Sequence, residues 1–368
     1  MFKLHVIQAQ FGDSLLLEFG TGKPQFILID GGPGGVYDTS LRPELVRIIG
    51  DGGRLEALVI SHIDIDHIQG AVDLLAELKS DKDNAKPLFL NIKEVWLNSF
   101  SAVIDDTGEL IERMNSLYAI AGQAAMESTA AGIAVEGVKE GDRITRFCTM
   151  LDINMNPEAN KGFFIADPGQ TDVNFGNLKF IITGPTQANL DSLKKDWDKW
   201  LKEQEKKIAN GTFEVQAMTD KSVPNLSSLT FLVAGEGKTI LFTGDGRGDH
   251  LIQGLDMKGL LKDGKFHVDI LKVAHHGSDR DTDRSFFDHI TADTYVISAN
   301  GKYDNPDYDT LTWIVEAAKA AERKVKLVVT NNTSSTQKLQ VEYPPADWGY
   351  TIVFIADKAF SFEIDLAN

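Results

Sequence analysis

Residues 57–70, ALVISHIDIDHIQG, hold the key to the fold of this chain. An apolar run stops at Ser61 and is followed by His62, Asp64, Asp66 and His67, four ligand-type residues in six positions. In an extended segment residues i and i+2 share a side, so His62 and Asp64 face a common cavity as the chain leaves the run. Ile68, Val72 and Leu75 then recur at i, i+4 and i+7, which predicts a helix whose first turn carries Asp66 and His67. An Asp ahead of a helix is often only a cap, and a single His beside an apolar run is often a core residue. Carboxylates two residues apart, however, repel one another unless a cation lies between them. The cluster as a whole therefore predicts a metal-dependent hydrolase.

Outward from this stretch, FKLHVIQA (2–9), SLLLEFG (14–20), QFILIDGG (25–32) and IKEVWLN (92–98) read as strands separated by Gly, Asp and Pro. Between about 101 and 175 the pattern changes to a helical segment, 109–131, and a polar stretch rich in Gly, Asn and Pro, 149–176, the expected place of an insertion or lid. A charged helix follows, with Leu190, Leu193, Trp197 and Trp200 on one side. Strands and helices then alternate to the end, so the class is α/β, read as a single domain over 1–368.

The second half adds ligand-type residues of its own. TILFTGDG (239–246) ends an apolar run at Asp245, and VDILKVAHHGS (268–278) ends another at His275 and His276. Strand ends are where α/β proteins build sites. Lys272, Arg247, Arg280 and Lys302 lie beside these motifs, suited by charge to neutralising a phosphate.

Composition narrows the partners. The charge is 37 − 54 = −17, which argues against a general affinity for nucleic acid or an anionic membrane. One cysteine, Cys148, excludes an intrachain disulfide and a cysteine-based zinc cluster. No apolar run approaches the length of a membrane span, and the first residues lack a secretory pattern. The expectation is a soluble, cytoplasmic protein with no membrane partner.

QFGDSLLLEFG (10–20), FILIDGG (26–32), SHIDIDHIQG (61–70), LFTGDG (241–246) and LKVAHHGS (271–278), in that order, resemble the metallo-β-lactamase-fold hydrolases. The nearest branch is that of the metallo-β-lactamase domain of ComEC-type DNA-uptake proteins and its soluble relatives. The resemblance implies an αββα sandwich of two facing mixed β-sheets with outer helices and a metal site at one edge. It implies that His62 and Asp64 bind one metal, that Asp66, His67 and His275 bind another, and that Asp245 bridges them. Asp66 would also orient the attacking hydroxide and His276 would line the substrate side, while Lys272 is expected, by its charge and place beside the motif, to meet the phosphate. Asp13 and Asp30 would stand behind the ligands.

The chain departs from the family pattern in three places. Asp64 stands where most members have His, although the ComEC branch commonly has Asp there. The family's further His is absent, since no His occurs from 68 to 249, and Asn225 and Ser228 take its place. Asn305 precedes Pro306 where the branch has His. The mixed imidazole and carboxylate set suits zinc or manganese, one or two ions per chain. The resemblance implies a phosphodiesterase or nuclease acting on a small-molecule or short phosphodiester, with nucleic acid among the candidate partners. Hydrolysis of a small ester, lactone or amide is the alternative, and a non-catalytic binding protein a third.

Overall fold

The apolar runs become strands of two sheets, seen in a computed structural model that describes residues 1–105, 107–121, 130–210 and 227–367. The first sheet runs in the order Ser361–Asp365, Phe2–Ile7, Leu15–Phe19, Gln25–Ile29, Ala57–Ile60, Glu94–Leu97 and Asn154–Met155. Its pairings are antiparallel as far as Gln25–Ile29 and parallel beyond. The second runs Tyr350–Phe354, Val325–Val329, Ile290–Ile297, Phe266–Lys272, Lys238–Phe242, Thr230–Gly235, Leu178–Gly184 and Val173–Phe175. Here the first five strands are parallel and the rest antiparallel.

The two-residue period of a strand explains how the layers stack. Ala57 and Val59 point between the sheets and pack with Phe231, Phe242 and Ile270 of the second sheet. Leu58 and Ile60 point the other way, against Ile68, Val72 and Leu75 of the helix Ile65–Asp83. On the far side, Leu241, Leu271 and Ile297 meet Leu311 and Ile314 of the helix Tyr308–Ala320. Sheets face each other and helices cover both outer surfaces, which is the expected αββα sandwich. The central strand Ala57–Ile60 is buried on both faces, so truncating a core position such as Leu58 to Ala would cost about 2–5 kcal/mol.

The described helices of the 101–175 segment belong to the outer helical layer, and Asn154–Met155 and Val173–Phe175 add an edge strand to each sheet; residues 122–129 of its expected helix lie outside the described residues. Leu110, Met114, Val138, Ile144 and Cys148 are buried in the same cluster as Ile60 and Ile68. The helix Ala130–Leu151 leans directly on the ligand-bearing loop, because a side chain at Gly137 would come within 2.5 Å of the Ile63 carbonyl oxygen. The charged helix forms over Gln187–Ala209 and buries Leu190, Leu193, Trp197 and Trp200 as its spacing predicts. Arg113 ties it to the segment through Asp198 at 2.8 Å and Glu205 at 2.7 Å. Among the described residues no helix is long and apolar enough to cross a membrane.

Candidate metal centre

Three strands, Ala57–Ile60 of the first sheet and Lys238–Phe242 and Phe266–Lys272 of the second, end at one edge of the sandwich, and the loops that follow them carry the ligand-type residues. Helix Ile65–Asp83 begins directly after Asp64, as its apolar spacing predicts. It can approach the loop after Asp30 only because both segments carry glycine there: a Cβ on Gly70 would lie 2.0 Å from the Gly31 carbonyl oxygen.

Asp245 is the centre of the cluster. Its Oδ1 lies 3.2 Å from His67 Nε2, and its Oδ2 lies 3.6 Å from His276 Nε2. His276 Nε2 is also 3.2 Å from Asp66 Oδ2 and 3.3 Å from His67 Nε2. On the other side of Asp245, His62 Nε2 and His275 Nε2 each lie 3.7 Å from Oδ2, and His62 Nε2 is 3.7 Å from Asp64 Oδ2. All six residues expected to bind metal, His62, Asp64, Asp66, His67, Asp245 and His275, thus meet around one carboxylate, and His276 joins them.

These atoms crowd together without satisfying one another. His62 Nε2, Asp64 Oδ1, Asp245 Oδ1 and Ser228 Oγ are buried with no hydrogen-bond partner. The 3.2 Å approach of Asp245 Oδ1 to His67 lacks the direction of a hydrogen bond. Leaving a buried polar atom unpaired costs about 1–3 kcal/mol, and several in one place imply a partner common to them all. Imidazole nitrogens and carboxylate oxygens facing one point are the donor set of a divalent cation, and the residues present fit one.

The charge balance within the cluster is consistent with this. Burial, reinforced by Asp66 and Asp245, pushes the Asp64 carboxyl up to about 7. Burial pushes the His62 ring down to about 3, with His67 adding to the effect. For His276 burial acts downward too, but Asp245 and Asp13 outweigh it and lift the ring to about 10. His67 is raised well above its usual value in the same way, with Asp245 and Asp30 overcoming burial. In the absence of a cation, protons on His67 and His276 offset the carboxylates.

A second tier of groups aims the rings. Asp30, itself in the left-handed region at φ 58°, accepts hydrogen bonds from Ser61 N and Oγ at 2.7 Å and from His67 Nδ1 at 2.9 Å. His276 Nδ1 donates to the Ser298 carbonyl at 3.0 Å and lies 3.4 Å from Asp13. His275 Nδ1 is hydrogen-bonded to Asp281. The two histidines diverge because His275 (φ 48°) and His276 (φ 57°) are both left-handed, followed by Gly277 at φ 83°. Two non-glycine residues in this region cost on the order of 1–3 kcal/mol each, and the contacts around both rings hold them there.

Some expected placements change. His276, expected on the substrate side, is the more deeply buried of the pair and points into the cluster, whereas His275 is 25% exposed. Lys272, expected to meet a phosphate, is 1% exposed and paired with Asp13 at 2.5 Å, its Nζ also donating to the Val273 carbonyl at 2.9 Å. The end of a strand buried on both faces leaves that ammonium no route to substrate, so it holds Asp13 behind His276. Arg247 lies beside Asp249 at 2.9 Å, and Arg280 is exposed. Asn305 is largely buried in a turn closed by its carbonyl and Gly301 N at 2.9 Å. Ser228 is buried, and Asn225 lies outside the described residues. Asp281 and the Ser298 carbonyl are positioning groups that sequence reading missed. Asp281 follows His275 by six residues, and an acidic residue in such a turn reads as an ordinary cap.

No protein-family model matches the chain, and no curated protein matches it. Among solved structures it is similar to a new diphosphatase from the PhnP family, at 10% identity and a TM-score of 0.40, over 100% of this chain and 98% of that one. It is also similar to a long form RNase Z from yeast, at 11% identity and a TM-score of 0.38, over 98% of this chain and 44% of that one.

Proposed function

We infer that the chain is a metal-dependent hydrolase, and that its substrate is a phosphodiester. The observation that carries the reading is the convergence of four imidazoles on Asp245, with Asp64 and Asp66 beside them and His62 Nε2, Asp64 Oδ1 and Asp245 Oδ1 unpaired. Asp66, His67 and His276 would hold one cation, His62 and Asp64 a second, with Asp245 shared. This differs from the ligand set implied by the resemblance in one residue, His276 for His275. A bound divalent ion would supply water whose pKa is lowered from roughly 16 to about 7, and positive charge for a leaving oxygen.

The residues of the chain do the rest. Asp66, which reaches His276 through Oδ2, has a second oxygen to orient an attacking water. His275, oriented by Asp281 and partly exposed, is placed to give a proton from Nε2 to the leaving oxygen, the geometry of a carboxylate-aimed general acid. Zinc and manganese suit this donor set, and magnesium does not, because it prefers octahedral oxygen and keeps its waters. Phosphorus is favoured over carbon as the reacting centre by Lys302, a lysine at the rim with no carboxylate in ion-pair range among the described residues.

Hydrolysis of bis-p-nitrophenyl phosphate by purified protein with zinc or manganese, lost on adding chelator, is the expected result. A metal-loaded sample that cleaves esters or lactones and no phosphodiester would replace this reading with the small-ester alternative.

A further inference from the structure

Beside the metal centre two loops meet and form a feature of which the proposed hydrolysis uses only the charge of Lys302. The first, Gln8–Asp13, carries Phe11; the second, Ala299–Pro306, carries Lys302 and Tyr303. Both are anchored to the site. Asp13 N donates to the Asp66 carbonyl at 3.3 Å, and the Gly12 carbonyl accepts from Ser298 Oγ at 2.6 Å. The Ser298 carbonyl is the one that receives His276 Nδ1. The second loop is tied to the histidine turn by Asp307 N, which donates to the Gly277 carbonyl at 3.0 Å. Asn300 Nδ2 reaches Gln10 Oε1 at 3.2 Å and joins the loops to each other. Phe11 is two residues from Asp13, a span of about 7 Å at most.

Where the loops join, the Phe11 and Tyr303 rings meet edge to face with centroids 6.0 Å apart. Lys302 Nζ sits 3.4 Å from the Phe11 ring centroid and 4.7 Å from that of Tyr303. Tyr303 is 70% exposed, the ring of a large aromatic side chain turned to solvent next to a buried catalytic cluster. Its backbone is left-handed at φ 59°, and so is that of Asp304 at φ 69°, which lifts the ring out of the turn. In a chain of net charge −17 this is a cation held by aromatic faces at the edge of a site, without a carboxylate in ion-pair range among the described residues.

We propose that Phe11, Lys302 and Tyr303 form a nucleoside-phosphate subsite, so that the substrate is a nucleotide-sized phosphodiester whose base stacks on Tyr303 while Lys302 meets a phosphate oxygen. This rests on the phosphodiesterase reading for what happens at the metal centre, but not for binding. A base needs a π-face, which every nucleobase shares, and stacking on an exposed aromatic ring is tolerant of sequence. The ammonium polarises the ring from one side and supplies the anion contact, as cation–π pairs at exposed sites do. The small extent of the patch and the acidic surface favour a short substrate over a polymer, which would need a longer basic track.

Calorimetric titration of the full-length, metal-loaded protein with AMP and with ribose phosphate tests the subsite, because the two differ by the base and neither is a diester. AMP is expected to bind at least about tenfold more tightly, the size of one base–aromatic stack. Tyr303→Leu should abolish that preference, Tyr303→Phe should keep it, and Lys302→Gln should weaken both ligands together. Equal affinity for the two ligands in the unaltered protein, or an intact preference in Tyr303→Leu, would overturn the proposal. Folding is not at issue, since the Tyr303 ring is exposed. The same samples assayed on bis-p-nitrophenyl phosphate separate the two conclusions: AMP preference without turnover keeps the subsite and removes the phosphodiesterase reading.

Discussion

Asp30 Oδ2 accepts a hydrogen bond from Nδ1 of His67 at 2.9 Å, and this leaves the other ring nitrogen of His67 facing Asp245 at 3.2 Å. A carboxylate behind an imidazole fixes its tautomer and raises its basicity as a ligand. The same arrangement repeats with Asp281 behind His275, and with Asp13 and the Ser298 carbonyl behind His276.

Asp30→Asn tests this support. Asn tolerates the left-handed backbone that position 30 adopts at φ 58°, so the fold should survive. Metal affinity should fall by about 10–100-fold, read by competition with a chromophoric chelator. Unchanged affinity would reduce Asp30 to a turn residue.

Asp245→Asn should lose metal and activity together, because Asp245 is the carboxylate shared by both halves of the cluster. Elemental analysis checks it. Wild-type metal content in both Asp245→Asn and His67→Ala would refute the site.

The adjacent histidines should behave differently. His276→Ala should lower metal occupancy, since its Nε2 sits among Asp66, His67 and Asp245. His275→Ala should keep the ions and lower turnover by about 10²–10⁴-fold, the usual contribution of a general acid. The reverse pattern in metal analysis would restore His275 as the ligand.

Metal binding should release protons, and its affinity should rise with pH. Without a cation, Asp245 and Asp13 prevail over burial and hold His276 at about 10, and a ligand nitrogen must shed its proton to bind. The sign follows for stability. A folded value above the unfolded one, about 6.5, means that His276 stabilises the metal-free fold fully below that value and loses its contribution as pH rises toward about 10. Asp64, raised to about 7 by burial and its neighbours, acts in the same direction at lower pH, between its unfolded value of about 3.9 and about 7. The metal-free protein should therefore melt at progressively lower temperature from neutral to alkaline pH, and the metal-loaded protein should resist the change. Calorimetry in buffers of different ionisation enthalpy and thermal melts across this range measure both effects; a melting temperature of the metal-free protein that climbs over the same range would contradict the charge assignment.

The α/β class, the strands and the residues that converge on Asp245 were legible in the linear chain, because they follow from short-range rules. A two-residue period buries both faces of Ala57–Ile60, a helical period places Asp66 and His67 on a first turn, and apolar runs that stop at ligand-type residues mark a sheet edge. The roles of neighbouring side chains were not legible. His275 and His276 are identical in type and adjacent, and only their left-handed backbone, with Ser298 on one ring and Asp281 on the other, assigns one to the interior and the other to the mouth. Lys272 has the charge to meet a phosphate, yet the second strand-covered face and Asp13, 259 residues earlier, turn it inward. Phe11 and Tyr303 carry no local signal at all. Periodicity determines which residues face a common side; which partner each one finds depends on contacts between segments far apart in the chain, and those exist only once both sheets have closed on each other.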